Sequence, residues 1–182
     1  MMGTSSYKGI IFMMSNLVLL IFARERGKML LEFKSNFSFI RVHQSGSIRD
    51  LLLDTDDINY VQSAINLKDP LDPVFEYTTL LLVGLLWNPD PVQVLLIGLG
   101  GGVIPRTMRI YYPQTEMDII EIDPGILRVA QDYFLFKTDS KMNVYIEDAR
   151  IFVKDYQRKR YYDLIINDAF NQDEGESYAW FK

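Results

Sequence analysis

The stretch QVLLIGLGGGVIPR, residues 93–106, decides the fold. An apolar strand spanning Gln93 to Gly98 runs into Gly98-Leu99-Gly100-Gly101-Gly102, and the turn feeds a helix predicted at about Val103 to Tyr111. Glycines at the carboxyl end of a first parallel strand permit positive φ and let backbone amides come close to a bound molecule. Open α/β sheets bind their ligands at that edge. A glycine run also serves as a plain tight turn, so the flanking sequence has to decide between the two.

Downstream, short and nearly continuous apolar runs alternate with helical ones, the pattern of a parallel sheet covered on both faces. The predicted strands are Met117 to Glu121, Met142 to Glu147 and Tyr162 to Asn167, with helices at Pro124 to Phe136 and Ala149 to Lys159. Ile126, Val129, Ala130 and Tyr133 form one apolar stripe, and Asp123-Pro124 supplies an N-cap and first residue. Upstream, a helix is expected from Pro73 to Trp87, stopped by Asn88-Pro89-Asp90-Pro91. Met29 to Phe33, Phe37 to His43 and Ile48 to Asp54 read as short strands, with Ser45-Gly46-Ser47 as a turn. Residues 56–73 lack a sustained period and read as connecting loops around Tyr60 to Leu67. The fold class is therefore α/β, a Rossmann-like parallel sheet with a small N-terminal β element. Its expected divisions are 1–28 as an apolar N-terminal segment, 29–72 as the β element with its loops, and 73–182 as a Rossmann-like nucleoside-binding domain.

A chain of 182 residues with 48% hydrophobic and 24% charged residues can bury a sizeable core. A net charge of −5 disfavours nucleic acid as a partner and suits a small cationic substrate. The absence of cysteine excludes disulfides, zinc-thiolate sites and thiol nucleophiles, and fits a cytoplasmic protein. His43, the single histidine, reads as structural, no metal is expected, and Arg158-Lys159-Arg160 reads as a solvated helix end. Gly9 to Ala23 is almost wholly apolar, but as a helix its roughly 22 Å would fall short of a ~30 Å hydrocarbon core. Ile21-Phe22-Ala23 is also a poor cleavage site. Membrane contact through residues 9–23 is thus not favoured over a buried helix, or over translation starting at Met29.

Three carboxylates close successive predicted strands. Glu121 stands about 20 residues past the glycine turn, where it can accept hydrogen bonds from both ribose hydroxyls. Asp148 can accept from an adenine amino group or cap the helix that starts at Ala149. Asp168 can deprotonate or orient an amine, or cap a further helix. A dinucleotide fingerprint would place a glycine at Val103 to admit pyrophosphate, whereas adenosyl-sulfonium ligands carry no phosphate. The three together on one rim are more specific than any one of them.

At these residues the sequence resembles the spermidine synthase-like group, polyamine aminopropyltransferases on the class I methyltransferase fold, over about Met29 to Phe170. The resemblance rests on Leu51-Leu52-Leu53-Asp54, Tyr60-Val61-Gln62-Ser63, Glu76-Tyr77, Gly98 to Gly102, Ile120-Glu121-Ile122-Asp123, Asp148-Ala149-Arg150 and Asp168-Ala169-Phe170. It implies that Gln62 and the turn of Gly98, Gly100, Gly101 and Gly102 line the nucleoside site, that Glu121 holds the ribose, that Asp148 reads the adenine, and that Asp168 assists the attacking amine. It also implies decarboxylated S-adenosylmethionine as co-substrate, no metal, and transfer of an aminopropyl group to a polyamine. The sequence departs from that pattern in three places. Gly101 stands where the family carries an Asp for the aminopropyl ammonium, Asn171 stands where a second acid is expected, and the sequence ends at Lys182, short of the strands that usually follow. The last departure leads to the expectation of a C-terminally truncated sheet whose strand Tyr162 to Asn167 is an exposed edge, covered by Gly9 to Ala23 or by a partner in a homodimer, or else left bare in a truncated gene product of low stability. Two alternatives stay open: a methyltransferase using S-adenosylmethionine itself, and a catalytically silent nucleoside-binding module.

Overall fold

A computed structural model describes residues 9–14, 17–22, 27–55, 58–154 and 161–169. In chain order, β1 (Gly9–Met14) and β2 (Leu17–Phe22) form an antiparallel pair with Gly9 opposite Phe22. Strands β3 (Lys28–Lys34), β4 (Phe39–Ser45), β5 (Ile48–Thr55) and β6 (Ile58–Asn66) follow as an antiparallel meander in the order β3-β4-β5-β6. Helix α1 (Glu76–Leu81) continues as a 3₁₀ turn over Leu82–Leu86. Then come β7 (Gln93–Ile97), α2 (Val103–Tyr111), β8 (Glu116–Glu121), α3 (Pro124–Tyr133), β9 (Met142–Ile146), α4 (Ala149–Lys154) and β10 (Leu164–Asn167).

The second half is the predicted parallel sheet, in the order β10-β7-β8-β9. The central strand β7 is nearly continuously apolar because both its faces are covered. Val94, Leu96, Met117 and Ile119 pack with Ile104 and Met108 of α2 and with Ile126, Val129 and Ala130 of α3. Leu95 and Ile120 point the other way and meet Phe152 of α4. Ile40, Val42, Leu51 and Ile65 of the meander join the first of these clusters, so the antiparallel sheet shares the core beneath α3.

Several elements differ from the sequence reading, each for a local reason. Within the apolar stretch 9–23, weighed as a helix, residues 9–14 and 17–22 pair as antiparallel strands instead, and no helix of the described residues is long and apolar enough to cross a membrane. Of the segment Tyr60 to Leu67, read within connecting sequence, all but Leu67 lies in β6. A bulge where β5 pairs with β6, between Leu51 and Leu52, breaks the alternation, and Ser63, Ala64 and Ile65 are buried in succession. Pro73 lies ahead of α1, which begins after Phe75 in extended conformation. Helix α3 stops at Tyr133 rather than Phe136 because Leu135 takes a left-handed φ of 61°, and the N–H groups of Phe134 and Phe136 both close on the Ala130 carbonyl. That turn sends both phenylalanines into the core. The outer part of the helix predicted to Lys159, and the segment after Ala169 that bears on the cover of β10, lie outside the described residues. Among the described strands β10 is an edge, with Ile165 58% exposed.

Candidate functional site

The parallel ladder extends past the strand ends and builds a rim there. Gly98 N–H donates to the Ile120 carbonyl, Asp168 N–H to the Ile97 carbonyl and Glu147 N–H to the Glu121 carbonyl, at 2.8, 2.8 and 3.0 Å. The chain leaves β7 toward β8 and β9 on one side and returns to β10 on the other, so Gly98 and Asp168 flank the switch point. Gly98 has φ +93°, and a Cβ there would lie 3.0 Å from the carbonyl carbon and oxygen of Asp168. Only glycine allows the two backbones this close.

The turn itself is wedged from both sides. A Cβ at Gly101 would come within 2.7 Å of Ser63 Oγ and 2.9 Å of the Phe134 ring. A Cβ at Gly102, whose φ is +69°, would come within 2.7 Å of the Phe136 ring. Glu121, 8% exposed, holds the turn from below: Oε2 accepts Leu99 N–H at 3.0 Å and Oε1 accepts Asp123 N–H at 2.9 Å. Burial pushes this carboxyl upward, and those backbone donors act against the shift.

Above the turn lies a crevice lined by Gln62, Ser63 and Ala64 of β6, Tyr77 and Thr78 of α1, Leu99, Gly100, Val103, Ile104 and Asp168. The surface it presents is more polar than apolar, and among its described lining residues there is one carboxylate and no cationic side chain. Burial pushes the Asp168 carboxyl up to about 7. The Tyr77 hydroxyl donates to the Gln62 carbonyl at 3.1 Å. Burial, and to a lesser degree the neighbouring Asp168 charge, raise its pKa, so the phenol keeps its proton. The crevice thus brings a glycine floor together with a carboxylate that can accept a proton from an amine.

Of the expected residues, Gln62, Gly100 and Asp168 therefore come together, and Gly98 supports Asp168 from behind. Gly101 and Gly102 face the core instead. Glu121 reaches the crevice through Leu99 rather than lining it. Asp148 stands at the end of β9 as the cap of α4: its Oδ1 accepts Arg150 N–H at 2.8 Å, and its Oδ2 pairs with the Arg150 guanidinium at 2.7 Å. The Arg150 guanidinium holds its carboxyl below the ordinary range. Ser63, Tyr77 and Thr78 are absent from the expected set. Once residues 56–73 are read as loop, no face of β6 can be assigned, and Tyr77 on a short helix carries no periodic signal of its own. Among the described residues no three acidic, histidine or cysteine side chains converge as a metal-binding group.

Residues 75–182 match the family model described as "Spermine/spermidine synthase domain". The chain is 43% identical over 107 residues to a polyamine aminopropyltransferase of Vibrio vulnificus, covering 57% of this chain and 36% of that protein. It is 38% identical over 89 residues to the eEF1A lysine and N-terminal methyltransferase of Danio rerio, covering 47% of this chain and 13% of that protein. In three dimensions it resembles the spermidine synthase of Thermotoga maritima with a TM-score of 0.63 at 18% identity, over 93% of this chain and 55% of that one. The chain thus spans less than two thirds of the length of each of these proteins.

Proposed function

Because the chain belongs to the spermine/spermidine synthase domain family, we propose that its crevice takes decarboxylated S-adenosylmethionine and that an aminopropyl group passes from it to a small cationic amine. The observation that carries this reading is the meeting of Gln62, Gly100 and Asp168 in one crevice at the switch point. Asp168 is its sole carboxylate among the described residues, and burial tunes that group to about 7, the range where a carboxylate exchanges protons at neutral pH.

In this mechanism the amine nitrogen attacks the methylene carbon next to the sulfonium. The new N–C bond forms as the C–S bond breaks, the bonding pair goes to sulfur, and methylthioadenosine leaves. The nitrogen's surplus proton goes to Asp168. Sulfonium is already an excellent leaving group, so the protein's work is to align the amine, keep it unprotonated and exclude water. Gln62 and Gly100 would line the nucleoside, and Tyr77 would fix the Gln62 backbone. Glu121 would hold the ribose with the lone pairs that its two amide partners leave open. For Asp148 to read adenine, the Arg150 guanidinium has to yield an oxygen.

Methyl transfer from S-adenosylmethionine is the second reading, favoured by Gly101. That position offers no space for the ammonium-binding carboxylate of the family pattern, since Ser63 and Phe134 occupy it. The segment similar to the Danio rerio methyltransferase adds to it. Calorimetric titration separates the readings. Aminopropyl transfer predicts that the decarboxylated co-substrate and methylthioadenosine bind at least about tenfold more tightly than S-adenosylmethionine. The reverse order selects methyl transfer, and no binding of any of the three leaves a silent module.

A further inference from the structure

Asp123 joins two parts of the molecule. One carboxylate oxygen, Oδ1, caps α3 by accepting Gly125 N–H at 2.8 Å. The other, Oδ2, accepts the hydroxyl of Ser35 at 2.5 Å and that of Ser38 at 3.4 Å, both from the turn between β3 and β4. The backbone N–H of Asp123 donates to Glu121 Oε1, and Glu121 Oε2 in turn accepts Leu99 N–H in the glycine turn, at 2.9 and 3.0 Å. An unbroken relay therefore runs from Ser35 through Asp123 and Glu121 to Leu99. Asp123 is 2% exposed and Glu121 8%, so its charge-assisted bonds are shielded from water and are stronger than neutral ones.

Ser35 is itself held in place. Its Oγ accepts the N–H groups of Phe37 and Ser38 at 3.0 and 2.9 Å, and its one hydrogen faces Asp123 Oδ2 at the shorter distance, with the Ser38 carbonyl at 3.1 Å as the other acceptor. The antiparallel sheet does not depend on this contact to stay on α3. At the far end of the helix Arg49 donates to the Tyr133 carbonyl at 2.6 Å, and Ile40, Val42 and Leu51 are buried in the shared core. The helix cap does not depend on it either, since Gly125 uses the other oxygen. What Ser35 adds is a fixed direction for the Asp123 carboxylate, and through the Asp123 backbone for Glu121.

We infer that Ser35 is a positioning residue for Glu121, acting through Asp123, so that the antiparallel sheet sets the geometry of the nucleoside-binding turn. The inference rests on the reading of Glu121 as the ribose carboxylate, and two independent measurements keep the two apart: methylthioadenosine affinity, and hydrogen exchange of the Leu99 amide in the free protein. Ser35→Ala is expected to weaken methylthioadenosine about fivefold to tenfold and to speed Leu99 exchange about tenfold, with the thermal midpoint lowered by about 2–6 °C. Ser35→Thr, which keeps the hydroxyl, restores both. Arg41→Ala, which removes an ion pair with Glu32 in the same sheet, changes neither. Should Ser35→Ala not fold, Asp123→Asn with its amide nitrogen turned to the serines gives the same split. Unchanged Leu99 exchange in the alanine variant overturns the relay, and so does a loss that threonine fails to restore. If the unaltered protein binds no methylthioadenosine, the reading of the site falls and Leu99 exchange alone decides the relay.

Discussion

Asp168→Asn is expected to lower the rate of aminopropyl transfer by about 10²- to 10⁴-fold while leaving methylthioadenosine affinity within about twofold. The asymmetry follows from position: Asp168 closes the crevice at the β10 side of the switch point, whereas Glu121 and the glycine turn lie toward β8. Asparagine keeps the shape and can still orient an amine, but it cannot take a proton. The pH dependence gives a second signature. Burial raises the Asp168 carboxyl from 3.8 to about 7, so its proton-accepting form is present only above about pH 7. In the unaltered protein kcat/KM should therefore fall as pH drops through about 7, and this step should vanish in Asp168→Asn. Stability carries the opposite sign. Between about pH 4 and pH 7 the folded protein holds a proton that the unfolded chain has released, so stability declines as pH rises across that window and is flat above it. The same substitution removes that slope. Parallel losses of transfer and of methylthioadenosine affinity would instead place Asp168 on the nucleoside.

How much of this was legible in the sequence depended on periodicity. The four parallel strands and three helices from Gln93 onward announced themselves as alternating apolar runs, most strongly where an element buries a full face or stripe, as in Val94 and Leu96 against α2 and α3. The rim carboxylates were legible for the same reason, since a strand end locates them to within a residue. The antiparallel sheet was half legible: three of its strands were readable, but β6 was hidden by its own bulge, where Gln62 has no partner between Val61 and Ser63. Losing β6 cost the site more than the fold, because Ser63 then had no assignable direction and the close fit of Gly101 against it was invisible. Asp148 illustrates a limit of another kind. A carboxylate at a strand end followed by a helix reads the same whether it caps or binds, and only the Arg150 contact distinguishes the two. Likewise nothing in the sequence connects Ser35 with Asp123, 88 residues apart.

The largest effect on stability is expected where the glycine turn meets the tail of α3. Phe136 is 1% exposed, and its truncation to alanine should cost about 3–5 kcal/mol through lost burial and a residual cavity. Gly102→Ala acts through two terms. The residue has φ +69°, which costs a non-glycine residue about 1–2 kcal/mol. Its new Cβ would meet Phe136 Cδ2, Cγ and Cβ at 2.7, 2.8 and 2.9 Å, and crowding of this kind adds about 1–3 kcal/mol. Phe136→Ala removes Cδ2 and Cγ but not Cβ. The double variant should therefore be less destabilised than the sum of the singles by about 1–2 kcal/mol, with the φ cost and one close contact remaining. Urea unfolding of all four proteins, with midpoints and slopes compared, measures the coupling, and Phe136→Leu is the milder variant if alanine unfolds the protein. Strict additivity would mean that the turn relaxes away from the ring rather than being held against it. The site should register the same strain, because Gly102 is the N-cap of α2 and the next two residues, Val103 and Ile104, form a wall of the crevice. A ring placed to stabilise the core thus also fixes where that wall stands.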